Sequence, residues 1–456
     1  MNLSFGKKCV YALGQFGLVL SAYGAGKLFV SFFVDAGITR SGEFPLYIDS
    51  RYYFGFFTVI GLIVALNRLV DVAGGLLSGW LSDRNGMAKG RRTGFMLAAA
   101  LPLAMFSVLA FFPPVGEVSP ANAVFVLVCM VCFFTALAFY TTPYLALISE
   151  FGKTPRERMH LSTLNAFASA FAYLLGNRIT FFMNSFEADL GLSPVAAFRL
   201  VIALYGLVAV VSLAIPPLLI DERRYSQSEP VRDGFQDSIS TVLRDSYFRS
   251  YLVSDLMYRI AAAFIMTGFT FYVTLLLGQK PDTVALYLLI IFFVNLALYF
   301  PISVVVEHLG KRRVLSAAFL MFMLFLAFSA FAGRYPLDPF AQGLILCVLV
   351  AIPLSVFTVV PTALVADLAV ASERKTGFQR GGTYFGVHSI VVKAGELIPA
   401  FLFPVVVMMG SAGKGMPGRA GLRLTLALAA VFSLVGFISL FGYREKEIAS
   451  LFEREE

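Results

Sequence analysis

The sequence predicts an all-α polytopic membrane protein of twelve transmembrane helices in two six-helix halves, and three observations carry that reading. The 456 residues are 58% hydrophobic and only 14% charged, with mean hydropathy +0.80, whereas soluble domains carry about 25% charged residues. Long apolar runs recur along the whole length, each enough to cross a hydrocarbon core roughly 30 Å thick as a helix. They are apolar on every side, unlike the alternating segments of about ten residues that a membrane barrel needs. Finally, the longest polar segment, Asp221 to Ser250, falls after the sixth run and leaves six runs on either side.

The helices are predicted at about 10–34, 53–81, 93–112, 121–148, 161–183, 196–220, 251–277, 284–306, 314–332, 343–370, 383–409 and 422–442. Residues 1–220 then form the N-terminal half, 221–250 a cytoplasmic central loop, and 251–456 the C-terminal half with a short charged tail. Lys7 and Lys8 precede an apolar run that is too long for a signal peptide and lacks a small-residue cleavage pattern, so that run is read as a retained span.

The formal charge is +8. Its basic residues do not line one soluble face, which argues against a nucleic-acid partner. They cluster after the even-numbered spans: Arg84, Lys89, Arg91 and Arg92; Lys153, Arg156 and Arg158; Arg223, Arg224, Arg232, Arg244 and Arg249; Lys311, Arg312 and Arg313; Arg374, Lys375 and Arg380. The opposite loops hold mainly Arg40, Arg51, Lys280, Arg334, Lys414 and Arg419. The positive-inside rule therefore puts both termini in the cytoplasm, with the chain in the inner (plasma) membrane. Of four cysteines, Cys9 precedes the first span and Cys129, Cys132 and Cys347 lie in apolar runs, a distribution unlike a disulfide framework. The Cys129–Cys132 spacing has no further metal ligands nearby, so both are read as packing residues and no metal is expected.

Two internal echoes point to duplication. "GWLSDRNGMAKGRR" after the second span answers "VVVEHLGKRR" after the eighth, and "PYLALISEFGKTPRER" from Pro143 answers "PTALVADLAVASERKT" from Pro361. Asp83, Arg84, Glu150 and Asp367 in these segments are candidate structural or gating residues. Parallel six-helix repeats are the plan of rocker-type secondary transporters, whose binding site lies near the midplane between them.

Charges within the spans sharpen the expectation, because an ionised side chain at the bilayer centre costs about 2.5 to 3.5 kcal/mol even on insertion scales. The basic ones are Lys27, Arg68, Arg178, Arg199, Arg259 and Lys393; the acidic ones are Asp71, Asp255 and Glu396. Arg68 and Asp71 share a face of span two by i, i+3 spacing, continued by Gly74, Gly75, Ser78 and Gly79, whose small side chains admit a close helix neighbour. Ser389, Lys393 and Glu396 form a stripe on span eleven that offers partner charges. Two readings fit both stripes: structural ion pairing, or a carboxylate that exchanges its cationic partner for a proton or sodium ion. Asp255 and Arg259, at i, i+4 near the start of span seven, suit an intrahelical structural pair. Arg178 and Arg199 sit toward span ends and suit snorkelling. Lys27 lies deeper and is a cavity candidate, and His388 is either a packing histidine or a proton relay.

The segments "YALGQFG", "RLVDVAGGLLSGWLSDRNGMAKGRR", "YTTPYLALISEFGKTPRERMHLSTLNAFASAFAYLLG" and "ALVADLAVASERKTGFQRGGTYFGVHSIVVKAG" together resemble the glycoside-pentoside-hexuronide:cation symporters, the melibiose carrier group of the major facilitator superfamily. The resemblance covers nearly the whole chain. It implies the major facilitator fold and a coupling-cation site at Asp71 with Lys393 beside it, to which this chain's own Thr141 and Thr142 would add oxygens. It leaves Gln15, Lys27, Arg68, Tyr140, Asn165, His388 and Glu396 as solute-binding candidates. The chain departs from the sugar carriers at Gly75 and at Thr141 and Thr142, where those carriers have acids, and it lacks their charged sugar clamps near Leu18 and Asn165. One carboxylate with hydroxyls is a sparse oxygen set for sodium, so proton coupling stands beside sodium coupling.

The function expected is cation-coupled (H+ or Na+) symport of a small polar solute, a sugar or glycoside, by a monomer in the lipid bilayer and without a cofactor. A lysophospholipid or other amphiphile carrier of the same fold is the alternative within transport, and a non-transporting receptor or scaffold the alternative outside it. An enzyme is not expected: there is no H-E-x-x-H or G-x-S-x-G, and the "GKT" at Gly152 to Thr154 has Leu147 where a phosphate loop needs glycine.

Overall fold

The computed structural model describes residues 3–34, 45–49, 51, 58–84, 90–225, 231, 233–409 and 418–453. Arg40, Lys89, Arg232 and Lys414 of the loop charges, and the first residues predicted for span two, lie outside these. The described residues are helical almost throughout. In order, the helices are α1 (Phe5–Tyr23) and α2 (Phe29–Val34), joined by a π-helical Gly24–Leu28; α3 (Val59–Arg84); α4 (Thr93–Leu109); α5 (Pro120–Phe151); α6 (Pro155–Gly176); α7 (Ile179–Leu190); and α8 (Pro194–Leu219). There follow α9 (Phe235–Arg244); α10 (Ser246–Phe271), extended by a π-helical Tyr272–Leu276; α11 (Pro281–Leu309); α12 (Lys311–Ala330); α13 (Pro339–Thr376); α14 (Gly381–Met408); α15 (Arg419–Ser439); and α16 (Glu445–Glu453).

Ten of these are long and apolar enough to cross a bilayer, and the shorter α4 is also apolar. With α6 they stand where the twelve predicted spans stand. Their outer faces carry large apolar residues, such as Leu207, Val211, Leu218 and Leu219 on α8 and Phe401 and Val405 on α14. Such a surface would be a liability in water, but it is the one acyl chains require.

Local chemistry sets the helix starts. Proline occupies the first helical turn of α5, α8, α11 and α13, where its fixed φ suits the helix and its missing N–H leaves no bond unmade. Ser119, Ser193 and Asp338 cap three of these by accepting backbone N–H groups. Span five differs from expectation for the same reason. Pro155 opens α6 six residues before the predicted start, so that Arg156, Arg158 and His160 are helical rather than loop residues. The helix stops at Gly176, and Arg178 becomes the exposed N-cap of α7.

The chain divides into two compact units. One comprises Met1–Lys153, Phe167–Asp233 and Phe378–Gly386; the other comprises Thr154–Ala166, Gly234–Gly377 and Val387–Glu456. Each is built by the same pairings. In the first, α4 packs on α5, α1 on α8, α3 on α5 and α4 on α8. In the second, α12 packs on α13, α10 on α15, α11 on α13 and α12 on α15. The π-helical ends of the first and seventh spans repeat the correspondence. Duplication, faint in the sequence, is plain in the helix partners.

Candidate functional site

In the first unit, α3 buries Asn67, Asp71, Gly74, Gly75, Ser78, Gly79, Ser82 and Asp83 on one side. Asp71 is 5% exposed and Asn67, one turn earlier, 1%; Arg68 is half-buried. The Ser78 hydroxyl donates to the Ala138 carbonyl at 2.9 Å, and the Thr142 hydroxyl donates to the Gly75 carbonyl at 3.4 Å. Thr141 beside it is half-buried. Lower on α3 the expected close approach is present: a Cβ at Gly79 would stand 2.3 Å from the Gly382 carbonyl oxygen, and one at Gly386 2.9 Å from that of Gly75. Glycine against glycine at i, i+4 lets the start of α14 lie directly on the α3 backbone.

Next to this contact is a buried charge cluster. Asp83 accepts the backbone N–H groups of Gly382 (2.8 Å) and Thr383 (2.7 Å) and the Thr383 hydroxyl (2.8 Å), capping α14. It also pairs with Arg92 at 3.2 Å. Arg92, fully buried, pairs with Glu150 at 2.6 Å, and Arg91 reaches Glu150 at 2.7 Å and also Gln379. Glu222 closes the cluster by accepting the Arg92 N–H at 2.9 Å and the Thr93 N–H at 2.8 Å, capping α4. Gly90, at φ +123°, makes this cap possible: a Cβ there would meet the Glu222 carboxylate at 2.5 Å. Burial, and then the nearby Glu150, hold Glu222 above the usual carboxylate range, against the pull of the N–H groups of Thr93 and Arg92. Burial disfavours the Arg91 charge, but Glu150 and Asp83 outweigh it and raise that guanidinium.

The second unit repeats the parts. Asp367 pairs with Arg158 at 2.5 Å and with Lys311. Glu307 pairs with Arg156 at 3.0 Å and His160 at 2.8 Å. Glu445 accepts the backbone N–H groups of Lys311 (2.7 Å) and Arg312 (2.9 Å), capping α12 as Glu222 caps α4. Gly310, at φ +86°, plays the part of Gly90. A cavity of about 470 Å³ opens here, bordered by Arg156, Glu307, His308, Lys311, Asp367 and Glu445.

The second unit also gathers three of the candidate residues. Asp255 Oδ2 lies 2.6 Å from Arg259 Nε and 3.0 Å from His388 Nε2. Asp255 is deeply buried rather than close to the surface, because α14 covers it. Lys393 is half-buried in this unit and Glu396 exposed, while Asp71 belongs to the other unit.

A family model described as MFS/sugar transport protein matches residues 15–444. The chain belongs to this family. It is thus a transporter of the major facilitator superfamily, a multi-pass membrane protein and not an enzyme. No curated protein matches it significantly. Among solved structures it is similar to the major facilitator transporter FucP in the outward conformation (16% identity, 97% of this chain and 99% of that chain, TM-score 0.66). It is also similar to a structure of the E. coli fucose:proton symporter FucP (16% identity, 96% and 98%, TM-score 0.64). The proton:xylose symporter XylE is a third (14% identity, 98% of each chain, TM-score 0.65). At these identities the likeness is one of fold.

Within this transporter the remaining sequence candidates fall as follows. Gln15 donates to Ser169 at 3.0 Å, and Asn165 is buried in the second unit. Tyr140 is fully buried, its hydroxyl donating to the Leu213 carbonyl at 2.7 Å. Lys27 is exposed within the π-helical turn, its ammonium over the Tyr23 ring at 5.3 Å. Arg199 lies over the Tyr47 and Phe112 rings and donates to the Phe111 carbonyl. Arg84 is exposed over Trp80, and the cluster uses Arg91 and Arg92 instead. In the sequence Arg92, Arg158 and Lys311 read only as orientation charges, and Glu222 and Glu445 carry no signal of their own. The repeated Gly-basic-basic triplets at Gly90 and Gly310 mark Arg92 and Lys311.

Proposed function

We propose that this protein is a cation-coupled symporter of a small polar solute, a sugar or glycoside, working by alternating access. The observation that carries the reading is Asp71: a carboxylate 5% exposed on a membrane-spanning helix, in a setting where such a group is retained for ion or substrate handling. Thr141, Thr142 and Lys393 complete the proposed coupling set, with H+ or Na+ as the ion. Gln15, Arg68 and Asn165 are the polar groups proposed for the solute. The family description and the proton coupling of the fucose and xylose symporters FucP and XylE support this reading. Residues 1–220 and 251–456 are the proposed moving halves, joined by 221–250. Both termini are cytoplasmic by charge bias, and the two charge clusters gate that side.

The test is uptake by the purified protein in vesicles, with sodium and proton gradients imposed separately and labelled sugars and a labelled lysophospholipid offered in parallel. Sugar accumulation under one gradient is the expected result. Movement of lysophospholipid alone overturns the sugar assignment, and no movement of any solute under either gradient makes the protein a receptor or scaffold.

A further inference from the structure

The transport reading leaves a second buried acid without a task. We propose that His388, held by α14 against the Asp255–Arg259 pair of α10, is a proton-binding site of the transport cycle distinct from Asp71. The proposal rests on the transport reading and adds the residue that carries the proton.

The Asp255–Arg259 pair is complete without the imidazole. Its members are one turn apart on the same helix at 2.6 Å, with the Asp255 side chain 1% exposed, and together they are neutral. His388 approaches the same carboxylate oxygen at 3.0 Å from a different helix, 133 positions along the chain. It is not needed for the neutrality of that pair. When the ring takes up a proton, its hydrogen bond to Asp255 becomes charge-assisted and the cluster gains one positive charge. When the same proton leaves, the cluster returns to neutrality, and nothing else is exchanged. A net charge buried in a membrane protein is costly unless its surroundings are hydrated or rearranged, so proton occupancy and the conformation around the site are linked.

Two further observations bear on this linkage. Tyr251, one turn before Asp255, is 2% exposed, and its hydroxyl has no hydrogen-bond partner among the described residues. Its ring stacks near that of His388, with centroids 6.3 Å apart and planes at 26°. A buried hydroxyl left unbonded in one state calls for a partner in another; here it is the replacement donor for Asp255 when the imidazole withdraws. His388 and the Asp255–Arg259 pair lie in the same compact unit. Gly395, two turns on, lies against the Arg259 stem, where a Cβ would be 2.5 Å away.

Described groups around the imidazole come from α10 and α14. α10 supplies Tyr251, Asp255, Tyr258 and Arg259, and α14 itself carries Lys393 and Glu396, five and eight residues beyond. The Tyr443 phenol after α15 is within electrostatic reach of Tyr251, and that of Tyr299 on α11 within reach of Tyr258.

The experiment is solute-driven proton movement into vesicles loaded with a pH-sensitive dye, using a sugar that the wild type takes up. The wild type should acidify the lumen. His388→Gln, which keeps a donor for Asp255 but cannot titrate, should lower the protons moved per solute carried tenfold or more. Tyr251→Phe should leave the melting temperature in detergent unchanged and shift the pH profile of uptake. Asp255→Glu keeps the charge and should also shift the profile, so loss of the Gln variant from the membrane does not end the test. Wild-type proton movement in His388→Gln, or wild-type uptake with no proton movement at all, overturns the inference and leaves the transport reading standing. No solute movement by the wild type under any gradient overturns both.

Discussion

The charge clusters of the two units are built from the same parts and end differently. In both, a buried acid on the helix before the short loop (Glu150, Asp367) holds buried basic partners, and a glutamate from beyond the unit's last long helix (Glu222, Glu445) caps a Gly-basic-basic turn. The difference lies at the acid that ends the second helix of each half. Asp83, 2% exposed at its side chain, is bound by backbone N–H groups of α14 beside a glycine-on-glycine contact. Glu307, 17% exposed, is bound by Arg156 (69% exposed) and His160 (37%) at the rim of a cavity of about 470 Å³. One cluster is dry and geometrically fixed, whereas the other keeps its outer pair in reach of water. Buried pairs are costly to break because the surviving charge is stranded, and exposed pairs contribute little.

Substitutions that strand a charge test this contrast most severely. Arg92→Met removes a fully buried cation from between Asp83 and Glu150 and should lower stability by about 3 to 5 kcal/mol. Denaturation in detergent would show it, and a loss under 1 kcal/mol would mean the cluster is not dry. Gly79→Val comes next, at about 1 to 3 kcal/mol. Its neighbour at 2.3 Å is backbone and has no rotamer to turn aside. A neutral outcome would show that α14 yields freely there.

A pH series on Glu222→Gln isolates the cap of the dry cluster. The Glu222 carboxyl is raised above its usual range, so the folded chain binds its proton more readily than the unfolded one. Its contribution is therefore full below the ordinary carboxylate pKa of about 4.3 and is lost as pH rises through the raised folded value. The stability of wild type relative to the Gln variant should fall over that interval in melting experiments, and a flat difference would contradict the assigned burial. The smallest effect belongs to Glu307→Gln, expected at about 1 kcal/mol or less because Arg156 is mostly in water. A loss as large as that of Arg92→Met would erase the distinction between the units.

Much of this architecture is legible in the residues alone. Apolar run length fixes the helices, and Asp71 declares itself because a carboxylate in such a run needs a reason. The Asp255–Arg259 pair was readable because its members are four apart on one helix. Its third member was not, since His388 meets it across 133 positions. Arg92 hid among loop charges that the positive-inside rule already explained, and its cap Glu222 lies 130 residues away. Asn67 was passed over because an uncharged amide in an apolar run raises no alarm, although it is the more buried neighbour of Asp71. Helix starts moved where a proline and a cap act together, as at Pro155, which turned presumed loop charges into helix-borne ones. Spacing along one helix survives in sequence; pairing between distant helices does not.

The most direct measurement compares Asp71→Asn with wild type in vesicles, following both uphill solute accumulation and solute exchange at equilibrium. The expected result is that accumulation collapses while exchange persists, because exchange completes without releasing the coupling ion. Accumulation equal to wild type would remove Asp71 from coupling and contradict the proposed mechanism at its centre.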